Sequence, residues 1–253
     1  VPVEQDGLFH KIKRQVGRAI GQFGLIEEGD RIAVGVSGGK DSYSLLHILD
    51  ALRRRAPIRY ELVAVNIDSG YPGFRKEVLE QHLADEGFEY RMQSTDCYSI
   101  IEQKRRPGSS YCSFCARLRR GHLYSVAAEL GCNKIALGHH LDDFIETLLL
   151  NQFYVGTLAA MSPKLKADNG IHTVIRPLVF VEESDIIAFT RANGFPVICC
   201  ACPVCGVVDQ KRKRMKALVK ELARDNSHIR RSLIGALGNV HPERLMDKSL
   251  HLF

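Results

Sequence analysis

Short runs rich in β-branched and apolar residues alternate along most of this chain with longer stretches whose apolar positions return every three or four residues. The first pattern predicts buried strands and the second amphipathic helices. Strands are predicted over Arg31 to Val36, Glu61 to Ile67, Tyr90 to Gln93, Lys134 to Leu137 and Thr173 to Ile175. Helices are predicted over Tyr43 to Arg54, Phe74 to Glu86, Ala116 to Leu130, Asp142 to Tyr154, Glu182 to Ala192 and Val207 to Arg224. Ahead of them, Phe9 to Phe23 reads as an amphipathic helix with basic residues between its apolar positions. This alternation predicts a parallel sheet covered by helices, an α/β fold in which ligands gather at the carboxyl ends of the strands.

The chain has 253 residues, enough for one large α/β domain or a domain with an appendage. The turn at Asn193-Gly194 marks a boundary, dividing the chain into a helical segment over 1–28, a nucleotide-binding domain over 29–194 and a basic, cysteine-containing helical extension over 195–253. Too few residues follow that turn to hold a core of their own, so the extension is expected to pack on the domain before it. There is no internal repeat and no low-complexity tract. No apolar stretch approaches the roughly 18 residues of a membrane span, and no basic segment followed by an apolar core opens the sequence, so a cytoplasmic protein with no membrane partner is expected.

The strongest local signal is Ser37-Gly-Gly-Lys-Asp-Ser42, lying between the first predicted strand and the first predicted helix of the domain. Glycines let the backbone turn tightly around an anion, amides at the start of the helix point toward it, and Lys40 adds a full charge. A Walker A loop is excluded, because it requires glycine where Val34 stands and Ser or Thr where Asp41 stands. The six residues instead resemble the pyrophosphate loop of N-type ATP pyrophosphatases, which cleave ATP between its α and β phosphates.

The formal charge is +6, and its distribution says more than its size. Lys211-Arg-Lys-Arg214, Lys216 and Lys220 form one cluster and Lys104-Arg-Arg106 another, each readable as a solvated helix face or as a surface for RNA. Eight cysteines in such a chain argue against a disulfide framework and for metal or redox chemistry. Cys112-Ser-Phe-Cys115 and Cys199-Cys-Ala-Cys202-Pro-Val-Cys205 place thiol pairs at ligand spacing, which taken alone favours a structural zinc with four thiolates. Cys97 and Cys132 have no close cysteine neighbours and read as small buried hydrophobes.

A third group, Gly138-His-His-Leu-Asp-Asp143, follows the predicted strand at Lys134. Gly138 permits close approach to a nucleotide, while Asp142 and Asp143 can hold Mg²⁺ or assist proton transfer, or simply cap a helix. His139 and His140 are adjacent and do not share a helix face, so they read as structural or substrate-contact residues. Arg117, Arg119 and Arg120 follow the first cysteine pair, where they can steady phosphates or a sulfur anion, or line a solvated face.

Taken together these segments resemble the tRNA 2-thiocytidine synthetase family. The match runs in order through Ser37 to Ser42, Cys112-Ser-Phe-Cys115-Ala-Arg-Leu-Arg-Arg-Gly121, Leu137 to Asp143, Met161-Ser-Pro-Lys-Leu165, Ile175-Arg-Pro-Leu178 and Cys202-Pro-Val-Cys-Gly206. The resemblance implies a Rossmann-like adenine nucleotide α hydrolase fold and a [4Fe-4S] cluster on Cys112, Cys115 and Cys202. The family's usual proline before the last pair is Ala201 here, and Cys199 and Cys205 stand as substitutes for Cys202. It also implies ATP held by Ser37, Gly38, Gly39, Lys40 and Ser42, with Asp41 and one of Asp142 and Asp143 on Mg²⁺. Ile67, Asp68 and Gly138 would lie beside the nucleotide, and Lys40 and Arg119 would offset developing charge.

The activity so implied is ATP-dependent thiolation of a cytidine at tRNA position 32, with AMP and pyrophosphate as products. Sulfur would come from a cysteine desulfurase or from free sulfide, and a homodimer is expected. Two alternatives stand beside it: a 2-thiouridine synthetase of the same superfamily, and a metal-containing RNA-binding module without catalysis.

Overall fold

The computed structural model describes residues 7–105, 111–168, 170–202 and 210–247. Arg106, the loop Pro107-Gly-Ser-Ser110, Cys205 and the first residues of the helix predicted from Val207 lie outside the described residues. Six strands form one sheet: β1 (Arg31–Gly35), β2 (Glu61–Asp68), β3 (Tyr90–Ser94), β4 (Lys134–Ala136), β5 (Lys164–Lys166) and β6 (Thr173–Ile175). The helices are α1 (Gly7–Phe23), α2 (Lys40–Arg53), α3 (Lys76–Asp85), α4 (Cys97–Lys104), α5 (Tyr111–Glu129), α6 (Leu141–Leu150), α7 (Glu183–Ala192), α8 (Gln210–Asp225) and α9 (Ile229–Ala236).

The strand order is β3-β2-β1-β4-β6-β5. All neighbours run parallel except β5, which pairs antiparallel with β6 through Leu165 opposite Val174. The reversal of order beside β1 makes the ends of β1 and β4 a switch point, where a doubly wound sheet opens a crevice for ligands. Strand β5 has no counterpart in the hydrophobic pattern, because its three residues are all exposed at the sheet edge and two are lysines. Helices α4 and α9 are eight residues each and bury two and no side chains respectively, so neither leaves a long apolar stripe to read.

The described residues divide into two compact units, one comprising 1–140 with 162–208 and the other 141–161 with 209–253. In the first, Ala33, Val63, Val65, Ile67 and Ile135 form one face of the sheet and pack against Leu123, Val126 and Ala127 of α5. Cys132 is part of this core and Cys97 is also buried. Ile32 and Val34 alternate to the other face. There α2 packs along β1, and α1 and α7 pack with α2. Phe9 and Phe189 stack between α1 and α7 with ring centroids 5.8 Å apart. In the second unit, Leu141, Ile145 and Leu149 of α6 meet Met215 and Val219 of α8, with Leu233 and Ile234 of α9 packed alongside.

A histidine pair is built into the first unit. The Nε2 atoms of His47 and His82 lie 3.0 Å apart, so one nitrogen donates and the other accepts. Phe195 stacks on His47 at 4.5 Å and Phe88 meets it edge-on at 5.1 Å. Burial, reinforced by His82, lowers the pKa of His47 to about 4. The unfolded chain therefore binds more protons than the folded one between about pH 6.5 and 4. Stability should be fully present above that window and fall by about 3 kcal/mol on acidification through it. Urea unfolding of the protein and of His47→Phe across this range checks it: the variant should show a shallower pH dependence, and equal slopes would remove His47 as the cause.

Candidate active site

The loop after β1 is positioned by the sheet itself. The amide of Val36 donates to the Val65 carbonyl of β2, carrying the pairing one residue beyond the strand. The chain then turns through Gly38, whose φ of +82° lies in the left-handed region. Ser42 closes the turn: its hydroxyl donates to the Gly39 carbonyl at 2.9 Å and accepts from the Ser37 amide at 3.2 Å. Gly39 caps α2 without a side chain, so the start of the helix presents amides and a positive dipole end rather than a built-in anion. Gly138, at the end of β4, comes so near that a Cβ there would stand 3.1 Å from the Asp41 carbonyl.

Lys40 is held by two carboxylates. Its Nζ lies 2.8 Å from Asp41 Oδ1 and 3.3 Å from Glu183 Oε1 in the first turn of α7. Burial opposes the charge on this ammonium, but the two carboxylates more than offset that and raise its pKa. His140 is buried, with Nε2 3.7 Å from Asp41 Oδ1. His139 is also fixed, accepting at Nδ1 from Arg176 Nε at 3.2 Å, while Arg176 Nη1 donates to the Ser162 carbonyl.

Beside the loop, within the same unit, lies a cavity of about 170 Å³ whose wall includes Ser37, Ile67, Cys112, Cys115, Cys200 and Cys202. Helix α5 starts at Tyr111, earlier than its hydrophobic pattern predicts, so Cys112 and Cys115 sit in its first turns rather than ahead of it. The early turns carry Cys, Ser and Ala in place of a repeating apolar stripe, which hid them. At i and i+3 the two thiols share a helix face, and the dipole at this end favours thiolates. Cys200 and Cys202 come from the segment after α7, with sulfurs 3.3 Å apart around Ala201, whose φ is +54°. A proline could not adopt that angle. Cys199 is disulfide-bonded.

That second cysteine segment is fastened to the loop. The Ile198 amide donates to the Gly38 carbonyl at 3.0 Å, and the Ile198 side chain fills the space in which a Cβ on Gly38 would stand. Upstream, the Tyr43 hydroxyl donates to the Pro196 carbonyl at 3.4 Å.

Two further groups line the cavity. The Tyr71 hydroxyl donates to Cys115 Sγ at 3.5 Å; burial raises its pKa, and hydrogen bonds to Tyr111 and Cys115 raise it further. Arg119 lines the wall with a buried Nε that has no hydrogen-bond partner. An orphaned cationic donor among thiols is the environment of an anionic ligand, and it fits a thiolate-bound cluster or a sulfur anion.

Among the described residues no three His, Cys, Asp or Glu side chains are already gathered as a metal site. Cys112, Cys115, Cys200 and Cys202 share the wall of one cavity.

Asp68 accepts from the Gly70 amide at 2.9 Å and lies 3.8 Å from Lys76 Nζ. In the second unit, Asp142 accepts from Arg230 Nε at 3.0 Å, and Asp143 lies 3.6 Å from Arg212 Nη1. Arg117 and Arg120 are exposed. Tyr71, Cys200, Glu183 and Arg176 were not singled out as site residues by the sequence. For Arg176 a signal existed in Ile175-Arg-Pro-Leu178. For Glu183 there was none, because its role arises only from the packing of α7 on α2.

A family model described as the PP-loop domain matches residues 8–198. This chain is therefore a PP-loop protein. A tRNA-cytidine(32) 2-sulfurtransferase from Syntrophotalea carbinolica is 69% identical over 253 residues, covering 100% of this chain and 98% of its own. Another from Geobacter metallireducens is 66% identical, covering 96% of this chain and 94% of its own. The chain belongs to the tRNA-cytidine(32) 2-sulfurtransferase family. Its fold matches the U34-tRNA thiolase NcsA from Methanococcus maripaludis, solved with a [4Fe-4S] cluster, at a TM-score of 0.74 and 20% identity, over 93% of this chain and 80% of that one.

Because Gly38 combines a left-handed φ with the Ile198 contact, Gly38→Ala should destabilise the protein by about 1–3 kcal/mol. Urea denaturation at neutral pH reads this out, and an unchanged midpoint would contradict it.

Proposed function

We propose that this chain thiolates C2 of the cytidine at position 32 in the anticodon loop of tRNA, consuming ATP and sulfide and releasing AMP and pyrophosphate. The observation that carries the reading is the shared wall: Ser37 of the phosphate loop and four cysteines face one cavity.

ATP would lie with its β and γ phosphates against the amides and hydroxyls of Ser37, Gly38, Gly39 and Ser42. Its phosphates would draw Lys40 from Asp41 and Glu183, and Asp41 would then be released to Mg²⁺, which takes one or two carboxylates beside phosphate oxygens. Ile67, Asp68 and Gly138 would border the adenosine. The cytidine O2 attacks the α phosphorus and pyrophosphate leaves, with Lys40 offsetting the charge that develops. A sulfide then attacks C2 and AMP departs with the original oxygen, so no electrons are gained or lost. Arg119, with its unpaired donor in the cavity, is placed to hold the sulfur anion before attack.

Cys112, Cys115 and Cys202 would hold a [4Fe-4S] cluster, with Cys200 a further thiol on the same wall. With three protein thiolates such a cluster would supply an open coordination position for sulfide. Asp142 and Asp143 would serve Mg²⁺ or a proton, and Arg230 and Arg212 lie beside them. A cysteine desulfurase or free sulfide as donor and a homodimeric assembly belong to the same proposal.

Anaerobic incubation of reconstituted protein with tRNA, ATP, Mg²⁺ and sulfide, followed by mass spectrometry of the nucleosides, should yield 2-thiocytidine. Thiouridine without thiocytidine would reject the substrate. Cys112→Ala and Cys202→Ala should each remove thiolation and the iron-sulfur absorption; normal thiolation by a cluster-free variant sinks the role of the cysteines. Lys40→Ala should cut ATP-dependent turnover by about 100-fold or more, and unchanged turnover would take Lys40 out of the site.

A further inference from the structure

The second unit carries a surface that the proposed chemistry does not use. After α6 ends at Leu150 the chain widens into a π-turn over Asn151–Val155, capped by Gly156 with φ of +77°. Asn151 pins the loop through three hydrogen bonds. Its carbonyl accepts from the amides of Gly156 at 2.8 Å and Thr157 at 3.1 Å, and its side-chain amide donates to the Ala159 carbonyl at 2.8 Å.

This ordered loop presents apolar side chains outward. Phe153 is 60% exposed, Tyr154 42%, Val155 66% and Leu158 58%. Single exposed apolar residues are ordinary, whereas four within one short pinned loop mark a binding surface. Turns of π geometry also concentrate at functional sites.

Charge selects the occupant. The ammonium of Lys211 sits 4.7 Å from the centroid of the Tyr154 ring. Helix α8, which bears Lys211, holds seven Lys and Arg residues against Glu221 and Asp225. Lys213, Arg214, Lys216 and Lys220 on it are exposed. A second copy of this chain would bring like charge to the same patch. A lipid surface would need an apolar face from α8, but Met215 and Val219 are spent inside the unit against α6. Aromatic rings beside a row of cations are what an unpaired stretch of RNA takes: bases stack on the rings and phosphates meet the cations.

We propose that Phe153 and Tyr154 form a stacking platform for an unpaired base of the RNA substrate, with Lys211 and its neighbours on α8 engaging the adjoining phosphates. The inference rests on the tRNA reading above and adds the place where the loop is gripped.

The test uses the full chain and an anticodon stem-loop RNA carrying 2-aminopurine in its loop. Tyr154→Leu should weaken binding about 5- to 100-fold and abolish the quenching of 2-aminopurine, while Tyr154→Phe retains both. Binding of a fully paired duplex of equal length should not distinguish Tyr154→Leu from the parent. Lys211→Ala should lower the slope of log affinity against log salt by about 1.

Unchanged stem-loop binding by Tyr154→Leu overturns the platform. So does a variant that keeps RNA affinity but falls from dimer to monomer in light scattering, or loses binding to phosphatidylserine vesicles. If the parent protein binds no tRNA at all, the functional reading itself fails, an outcome distinct from failure of the platform alone.

Discussion

The hydrogen bond from the Ile198 amide to the Gly38 carbonyl ties the cysteine-bearing segment after α7 to the turn that follows β1. The two segments are distant in sequence, and each depends on the other. The turn has a left-handed residue at its centre, and Ile198 covers that residue where any side chain would collide. The segment after α7 has little regular structure of its own, and this contact decides where Cys200 and Cys202 stand. The glycine turn at Ser37 to Ser42 and a set of thiols thereby face the same cavity, although neither motif specifies the other.

The sheet supplies the rest of the alignment. Its order reverses at β1 and β4, and the residues that matter stand just beyond the carboxyl ends of β1, β2 and β4. Helix α5, which covers one face through Leu123, Val126 and Ala127, delivers Cys112, Cys115 and Arg119 from its other end. Burial of one end thus fixes the geometry of the other. The aromatic and histidine cluster around Phe195 steadies the stretch leading to Ile198, which connects the core to the site through packing.

Much of this was legible in the sequence because buried parallel strands and amphipathic helices leave strong periodic signals. Strands β1, β2, β4 and β6 are such cases, and so is the Ser37 to Ser42 loop, whose glycines and lysine are legible without a partner. What was not legible has a common physical reason. Strand β5 is exposed on its edge, α4 and α9 bury too little to show a stripe, and the first turns of α5 carry small and polar residues. Glu183, Tyr71 and Ile198 matter only through contacts made across the fold, and no local pattern encodes such contacts. The cysteines were found by spacing, yet spacing alone pointed to zinc; the shared cavity and the orphaned Arg119 donor came only from three dimensions.

The engagement of Lys40 by Asp41 and Glu183 has a consequence for what the loop admits. An isolated phosphate arriving there must compete with two carboxylates for Lys40. A polyphosphate that travels with its own divalent cation offers Lys40 a new partner and one carboxylate a new partner together. Under the proposed function, the site would thereby be biased against the small anions that crowd any aqueous compartment, and selectivity would begin before adenine is felt.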